Sequence, residues 1–280
     1  MSASPGTVSK ILWHFTGGPV WNEKKNKQGK RLKPVDDSFK ALKEIIKSNE
    51  LRTGKYHEIV RTIIPDKKIF NLKTKKFEIK KNHSAIIKSS PVCCVAEIPI
   101  QHLDYLSKRY GKIAIGFHRD SIVKAGFNPV MYTLDKSNLS RDIHDGYSLI
   151  DNFNTSWVNS SIDDIQSNID SIISDYEIDE DIDTSDARNA LEDIEWINID
   201  ILTYYENLLA YIKTFEHSEF ETIYCEREWR TTNNYEFTID DIAMIILPKK
   251  GKKDFYNSFL KSTKLPRRVP VVSWEDLIEH

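Results

Sequence analysis

Two short runs hold the residues best suited to chemistry. The first is Trp13-His14-Phe15-Thr16, closed by Gly17-Gly18. A histidine can hold or pass a proton near neutral pH, and glycines let a ligand approach the backbone. A histidine between aromatics also fits a packed core position. A lysine-rich loop from Asn22 to Lys33 follows, then a helix whose N-terminus offers free N–H groups to phosphate. The second run is Tyr224-Cys225-Glu226-Arg227-Glu228-Trp229-Arg230. In a continuous strand, alternation puts Glu226, Glu228 and Arg230 on one face and Arg227 with Trp229 on the other. Two carboxylates and a guanidinium near a core are costly unless paired, so this face is either a cleft or a cross-strand ion-pair network. In a cleft, one glutamate would orient a ribose hydroxyl or stabilise a developing cation, and Arg230 would hold a phosphate.

The common catalytic signatures are missing: no G-x-x-x-x-G-K-[ST], no G-x-G-x-x-G after a strand, no G-x-S-x-G. Cys93, Cys94 and Cys225 have no zinc-type spacing, so no metal is expected and the cysteines read as small apolar strand residues. A metal-dependent nuclease using Glu226 and Glu228 lacks a companion Asp/Lys set. An odd number of cysteines, two of them adjacent, argues against a secreted disulfide framework. The first ten residues lack a signal-peptide apolar stretch, and no apolar run approaches the roughly 20 residues of a membrane span. The expectation is a cytoplasmic protein that does not enter the membrane.

The net charge of -2 conceals an asymmetry. Residues 1–88 carry 21 Lys/Arg against 8 Asp/Glu, whereas residues 142–200 carry 17 acids against Arg188 alone. Either the acidic segment folds onto basic surface, or the basic ends contact nucleic acid or a phosphorylated ligand.

Around these residues the periodicity predicts strands at Lys10–Thr16, Val92–Glu97, Lys112–His118, Pro129–Leu134, Glu221–Arg230, Ile242–Leu247 and Val269–Val272. A helix capped by Asp36-Asp37-Ser38 carries Phe39, Leu42, Ile45 and Ile46 on one face, and Gln101–Tyr110 forms another with Leu103 and Leu106 inward. Arg119–Ala125 and Phe255–Leu260 fit short helices, and Ile59–Ile79 fits a basic hairpin. From Ser137 onward, isoleucines recur at helical spacing twice, at Ile162–Ile173 and Ile194–Ile212, around an acidic loop. The expected fold class is α+β: a mixed or split sheet interrupted by an acidic helical insertion. Residues 1–136 start the core, 137–217 form the insertion and 218–280 complete the core.

In their order, I-L-W-H-F-T-G-G (Ile11–Gly18), S-F-K-A-L-K-E-I-I (Ser38–Ile46), V-C-C-V-A-E-I-P-I (Val92–Ile100), R-Y-G-K-I-A-I-G-F (Arg109–Phe117), G-F-N-P-V-M-Y (Gly126–Tyr132) and Y-C-E-R-E-W-R resemble the AbiGi-type abortive phage resistance family. The likeness covers Lys10–Leu134 and Tyr224–Leu247 and leaves the acidic block outside. It implies a part in bacterial phage defence, and the family's antitoxin label implies a partner protein, a cognate toxin or antitoxin or a phage component, bound through the acidic block. The His-Phe-Thr strand end and the E-R-E-W-R strand are also similar to ADP-ribosyltransferases of the histidine-tyrosine-glutamate kind, such as the DarT toxins. That likeness implies an ADP-ribosyltransferase-like fold and NAD as ligand, with His14 and Thr16 holding its ribose. Tyr110 or Tyr132 would stack on nicotinamide, and Glu228 or Glu226 would assist transfer.

Overall fold

The computed structural model describes residues 9–22, 27–54, 56–64, 67–71, 74–80, 83–152, 164, 165, 167, 168, 171, 172, 174, 175, 185–219, 221, 223–251 and 253–278. The chain divides into two compact units. The first comprises Met1–Glu58, Ser90–Tyr132 and Ala210–His280, and the second Ile59–Ser89 and Thr133–Leu209.

In chain order the elements begin with β1 (Ile11–Phe15), β2 (Pro19–Asn22), β3 (Lys27–Leu32), α1 (Val35–Ser48) and β4 (Glu50–Leu51). Then come β5 (His57–Ile64), β6 (Lys67–Asn71), β7 (Lys76–Lys80), β8 (His83–Pro91) and β9 (Cys93–Ala96). The middle holds α2 (Leu103–Tyr110), β10 (Ala114–His118), α3 (Arg119–Lys124), β11 (Asn128–Pro129), β12 (Met131–Leu134), α4 (Asn138–Asn152) and α5 (Ser185–Leu209). The remainder is β13 (Ile212–Phe215), β14 (Glu228–Thr231), β15 (Tyr235–Glu236), β16 (Ile242–Leu247), α6 (Phe255–Ser262), β17 (Val271–Ser273) and α7 (Trp274–Ile278).

The first unit is built on a seven-stranded sheet in the order β11-β14-β9-β1-β10-β16-β17. Its pairs are antiparallel except β16 with β17, so the sheet is mixed and the class is α+β. Alternation along the strands sends side chains to two separate cores. Leu12, Ile115, Phe117 and Ile245 join Leu42 of α1, Ile122 of α3 and Phe259 of α6 on one face. Trp13, Ala114 and Ile246 join Leu103 and Leu106 of α2 and Trp274 of α7 on the other. Gly116 makes room for the indole: a Cβ there would lie 2.8 Å from a ring carbon of Trp13.

Helix α1 starts one residue before the predicted acidic cap. Pro34 occupies the cap position without a side-chain bond, Asp36 and Asp37 fall in the first turn, and Asn49 ends the helix in the left-handed conformation at φ 53°. Carboxylates in a first turn still complement the helix dipole.

In the second unit β6 and β7 form an antiparallel hairpin, with Phe70 opposite Phe77. Ile63-Ile64 belong instead to the longer β5, which pairs with β8, so the predicted basic hairpin is two nested pairings. Helices α4 and α5 meet through Tyr205, whose hydroxyl donates to the Ile143 carbonyl at 2.8 Å. The isoleucine stripe of α5 is not buried as its spacing suggests: Ile197, Ile201 and Leu208 are exposed, as are Ile165 and Ile172 upstream. Ile162, Ile169 and Ile173 lie outside the described residues. Among the described residues no helix is long and apolar enough to cross a membrane.

Candidate functional site

The run Tyr224–Arg230 is not one strand. Tyr224–Glu226 form a 3-10 turn, Arg227 is left-handed at φ 45°, and the strand begins at Glu228. A left-handed L-residue costs on the order of 1–2 kcal/mol, and contacts with Glu97 help to offset it here. The Arg227 carbonyl accepts from the Glu97 N–H at 3.0 Å. The turn also delivers Glu226 to a buried lysine. From Glu228 onward alternation holds: Glu228 and Arg230 share a face, while Trp229 and Arg227 both reach Glu97, at 3.1 and 3.4 Å.

The shared face is an ion-pair network with three carboxylates and three cations. Lys213, on β13, places its Nζ 2.7 Å from Glu226 Oε2 and 2.5 Å from Glu228 Oε2. Arg230 donates through Nε to Glu228 Oε1 at 3.0 Å, and through Nη2 to Glu228 Oε2 at 2.9 Å and Glu58 Oε2 at 2.6 Å. Its Nη1 donates to the Ala210 carbonyl at 2.8 Å. Arg109 lies 3.0 Å from Glu226 Oε1, which also accepts from the Tyr110 hydroxyl at 3.0 Å. The Tyr56 hydroxyl donates to Glu58. Charges removed from water survive only when paired and hydrogen-bonded in this manner.

The titrations follow from the pairing. Burial would raise the Glu228 pKa, but Arg230 and Lys213 outweigh it and hold the carboxyl well below its usual range. Burial would lower Lys213, but Glu228 and Glu226 outweigh it and hold the ammonium well above its usual value. Burial, helped by Glu226, pushes the Tyr110 phenol up, and burial pushes Tyr132 up to about 12.

Beside this network lies a cavity of about 470 Å³, within the range of small-molecule sites. It brings together His14, Thr16, Tyr110, Glu226 and Glu228 from the sequence-predicted set. Arg230 and Tyr132 are not in its lining. Arg230 is 0% exposed and donates from all three nitrogens to protein oxygens, which removes it as a phosphate holder. The Tyr132 hydroxyl accepts the Glu228 N–H at 2.9 Å, and its ring packs against Phe215 and Tyr224.

His14 Nδ1 lies 3.0 Å from the Cys94 carbonyl. A carbonyl only accepts, so Nδ1 carries the proton and Nε2 is left as an acceptor. Burial lowers the imidazole pKa, the Cys94 carbonyl opposes this, and the Lys33 charge adds to the lowering. The Cys94 thiol is pushed up by burial and then by the Glu228 charge. Thr16 is buried, and its Oγ1 has no partner among the described residues. Gly17 admits protein rather than ligand: a Cβ there would sit 2.6 Å from the Tyr110 carbonyl oxygen at the end of α2.

Sequence reasoning missed Lys213, Glu58, Arg109 and Tyr56. Lys213 carries one signal, a lone lysine within the apolar strand Ile212–Phe215. Glu58 carries none, because its partner Arg230 is 172 residues away. Among the described residues no group of three or more His, Cys, Asp or Glu is placed to hold a metal ion.

The model of a family described as "Putative abortive phage resistance protein AbiGi, antitoxin" matches residues 57–274. The match runs through the acidic block, which the sequence motifs had left outside the likeness, and does not include Ile11–Gly18 or Ser38–Ile46. No curated protein and no solved structure matches the chain.

Proposed function

The chain belongs to this abortive phage resistance family, and from that premise we propose that it acts in phage defence through NAD taken into the cavity of the first unit. The observation that carries the reading is that His14 and both candidate glutamates line one cavity, with the polar contacts on their edges already set. NAD supplies an ADP-ribosyl group: its C1′–nicotinamide bond breaks, a bond from C1′ to an acceptor oxygen or nitrogen forms, and the acceptor's proton is released.

The chain's own residues divide the remaining work. His14 Nε2 and the unpartnered Thr16 hydroxyl receive ribose hydroxyls. The Tyr110 ring, fixed by its bond to Glu226, offers a stacking face. A carboxylate has about four acceptor positions. Glu228 accepts two bonds from Arg230, one on each oxygen, and one from Lys213. Glu226 accepts from Lys213, Arg109 and Tyr110 and keeps one position open. With no guanidinium spanning both of its oxygens, Glu226 is the carboxylate assigned to the acceptor proton, and Glu228, clamped by Arg230, the one that positions the network.

Calorimetry with NAD tests this on wild type, His14→Ala and Glu226→Gln. Saturable heat that His14→Ala removes in a folded variant is expected. No heat from wild type at millimolar NAD overturns the reading.

A second reading, an antitoxin that binds a partner protein, is favoured by one observation. On α5, Trp196 and Tyr204 are 66% and 69% exposed, with Ile197 and Leu208 exposed as well. Large apolar side chains gathered on one exposed helix mark interaction sites. Loss of phage resistance in Trp196→Asp, with NAD binding intact, would favour this reading.

A further inference from the structure

We infer that the cavity takes a ligand bearing a diphosphate, received by a cationic rim of Lys33, Arg52 and Arg109. The inference rests on the cavity being a ligand site, as proposed above. It does not require the ligand to be NAD or the site to be catalytic.

The argument begins with the charge of the lining. Four cations line the cavity, Lys33, Arg52, Arg109 and Lys213, against two carboxylates, Glu226 and Glu228. Lys213 and Arg109 pair with those two carboxylates, so Lys33 and Arg52 give the lining its positive surplus. A cleft lined with a surplus of one sign concentrates ligands of the other.

Each of the three rim cations has donors to give. Lys33 is exposed and forms no ion pair among the described residues. Its charge nevertheless reaches His14, whose imidazole it helps keep neutral. Arg52 pairs with Glu50 at 2.6 Å, but that pair is on the surface, where such pairs are weak and exchange easily. Arg109 spends Nη1 on Glu226 at 3.0 Å and lies over the Tyr110 ring, with its centre 5.7 Å from the ring centroid. Guanidinium carries five donors in a planar fork, so the rest of that fork suits phosphate oxygens.

Arg230, the phosphate holder expected from sequence, is consumed by Glu58, Glu228 and Ala210, so the role passes to the rim.

The test is calorimetry on the full chain with ADP, ADP-ribose and adenosine as probes, at two salt concentrations. ADP and ADP-ribose are expected to bind at least about tenfold tighter than adenosine, as paired charge-assisted contacts allow, with affinity falling as salt rises. Lys33→Ala, a surface change that leaves the fold intact, weakens ADP about fivefold and leaves adenosine unchanged. Arg109→Lys keeps a cation beside Glu226 while removing the fork, and it lowers ADP affinity.

Equal binding of ADP and adenosine, no binding of any diphosphate probe, or ADP affinity untouched by both Lys33→Ala and Arg109→Lys overturns the inference. NAD binding that ignores the rim variants overturns it while leaving the transferase reading in place. ADP binding without NAD binding does the reverse.

Discussion

His14 and Glu228 meet across one residue, Cys94: its carbonyl fixes the imidazole at 3.0 Å, the Glu228 charge helps push its thiol up, and all three line the same cavity. The strand β9 that carries Cys94 lies between the strands of the two partners, with Cys94 in register with Arg230. Two residues 214 positions apart in the chain are thereby set by one sheet.

Removing Lys213 leaves two buried carboxylates short of a partner. Lys213→Met is expected to lower unfolding free energy by about 3–5 kcal/mol, the usual cost of breaking a buried pair from one side. Urea denaturation checks it, and a change below about 1 kcal/mol would mean that Lys213 is not holding the pair.

The same network fixes the pH dependence of stability. The folded-state pKa of Glu228 is depressed, so its contribution is present above the unfolded carboxyl value of 4.5 and is lost as pH falls through the folded value. The folded-state pKa of Lys213 is raised, so its contribution is complete below 10.5 and is lost as pH rises through the folded value. Urea midpoints should therefore drop below pH 4.5, and Glu228→Gln should flatten that drop.

Burial holds the Cys93 thiol up at about 12 and that of Cys94 well above its usual value, while Cys225 is exposed. Only the thiolate attacks alkylating reagents. Mass spectrometry after iodoacetamide treatment of native protein should find Cys225 modified. Cys93 and Cys94 should join it only in denaturant.

Gly17→Ala drives a methyl to within 2.6 Å of the Tyr110 carbonyl oxygen. Backbone is slow to yield, so a loss of about 1–3 kcal/mol is expected, read as a lowered thermal midpoint. Because Tyr110 also bonds Glu226, the variant should weaken NAD binding more than its stability loss alone explains.

What the sequence disclosed was local. Leu103 and Leu106 on α2, and the apolar stripe of α1 ending at Asn49, follow from a helical period that needs no knowledge of partners. The same reasoning failed on Tyr224–Arg230, because alternation assumes extended backbone and Arg227 is left-handed. On α5 the spacing reports the helix but not what lies against it: Leu209 is buried, whereas Ile197 and Leu208 are exposed. The site was half legible: the candidates His14, Thr16, Tyr110, Glu226 and Glu228 share a cavity, while their cationic partners come from distant segments. No period or motif links Glu58 to Arg230, since only the folded sheet makes them neighbours.

Strand β14 fills the place between β9 and β11, and it is made more than a hundred residues after β9 leaves the ribosome. Until that late segment arrives, His14 has its wall but no glutamate opposite, and Glu58 has no guanidinium. Pairings across such sequence distances are slow to close. A chain still being translated therefore holds no finished pocket, and one broken off before Glu226 never gains one.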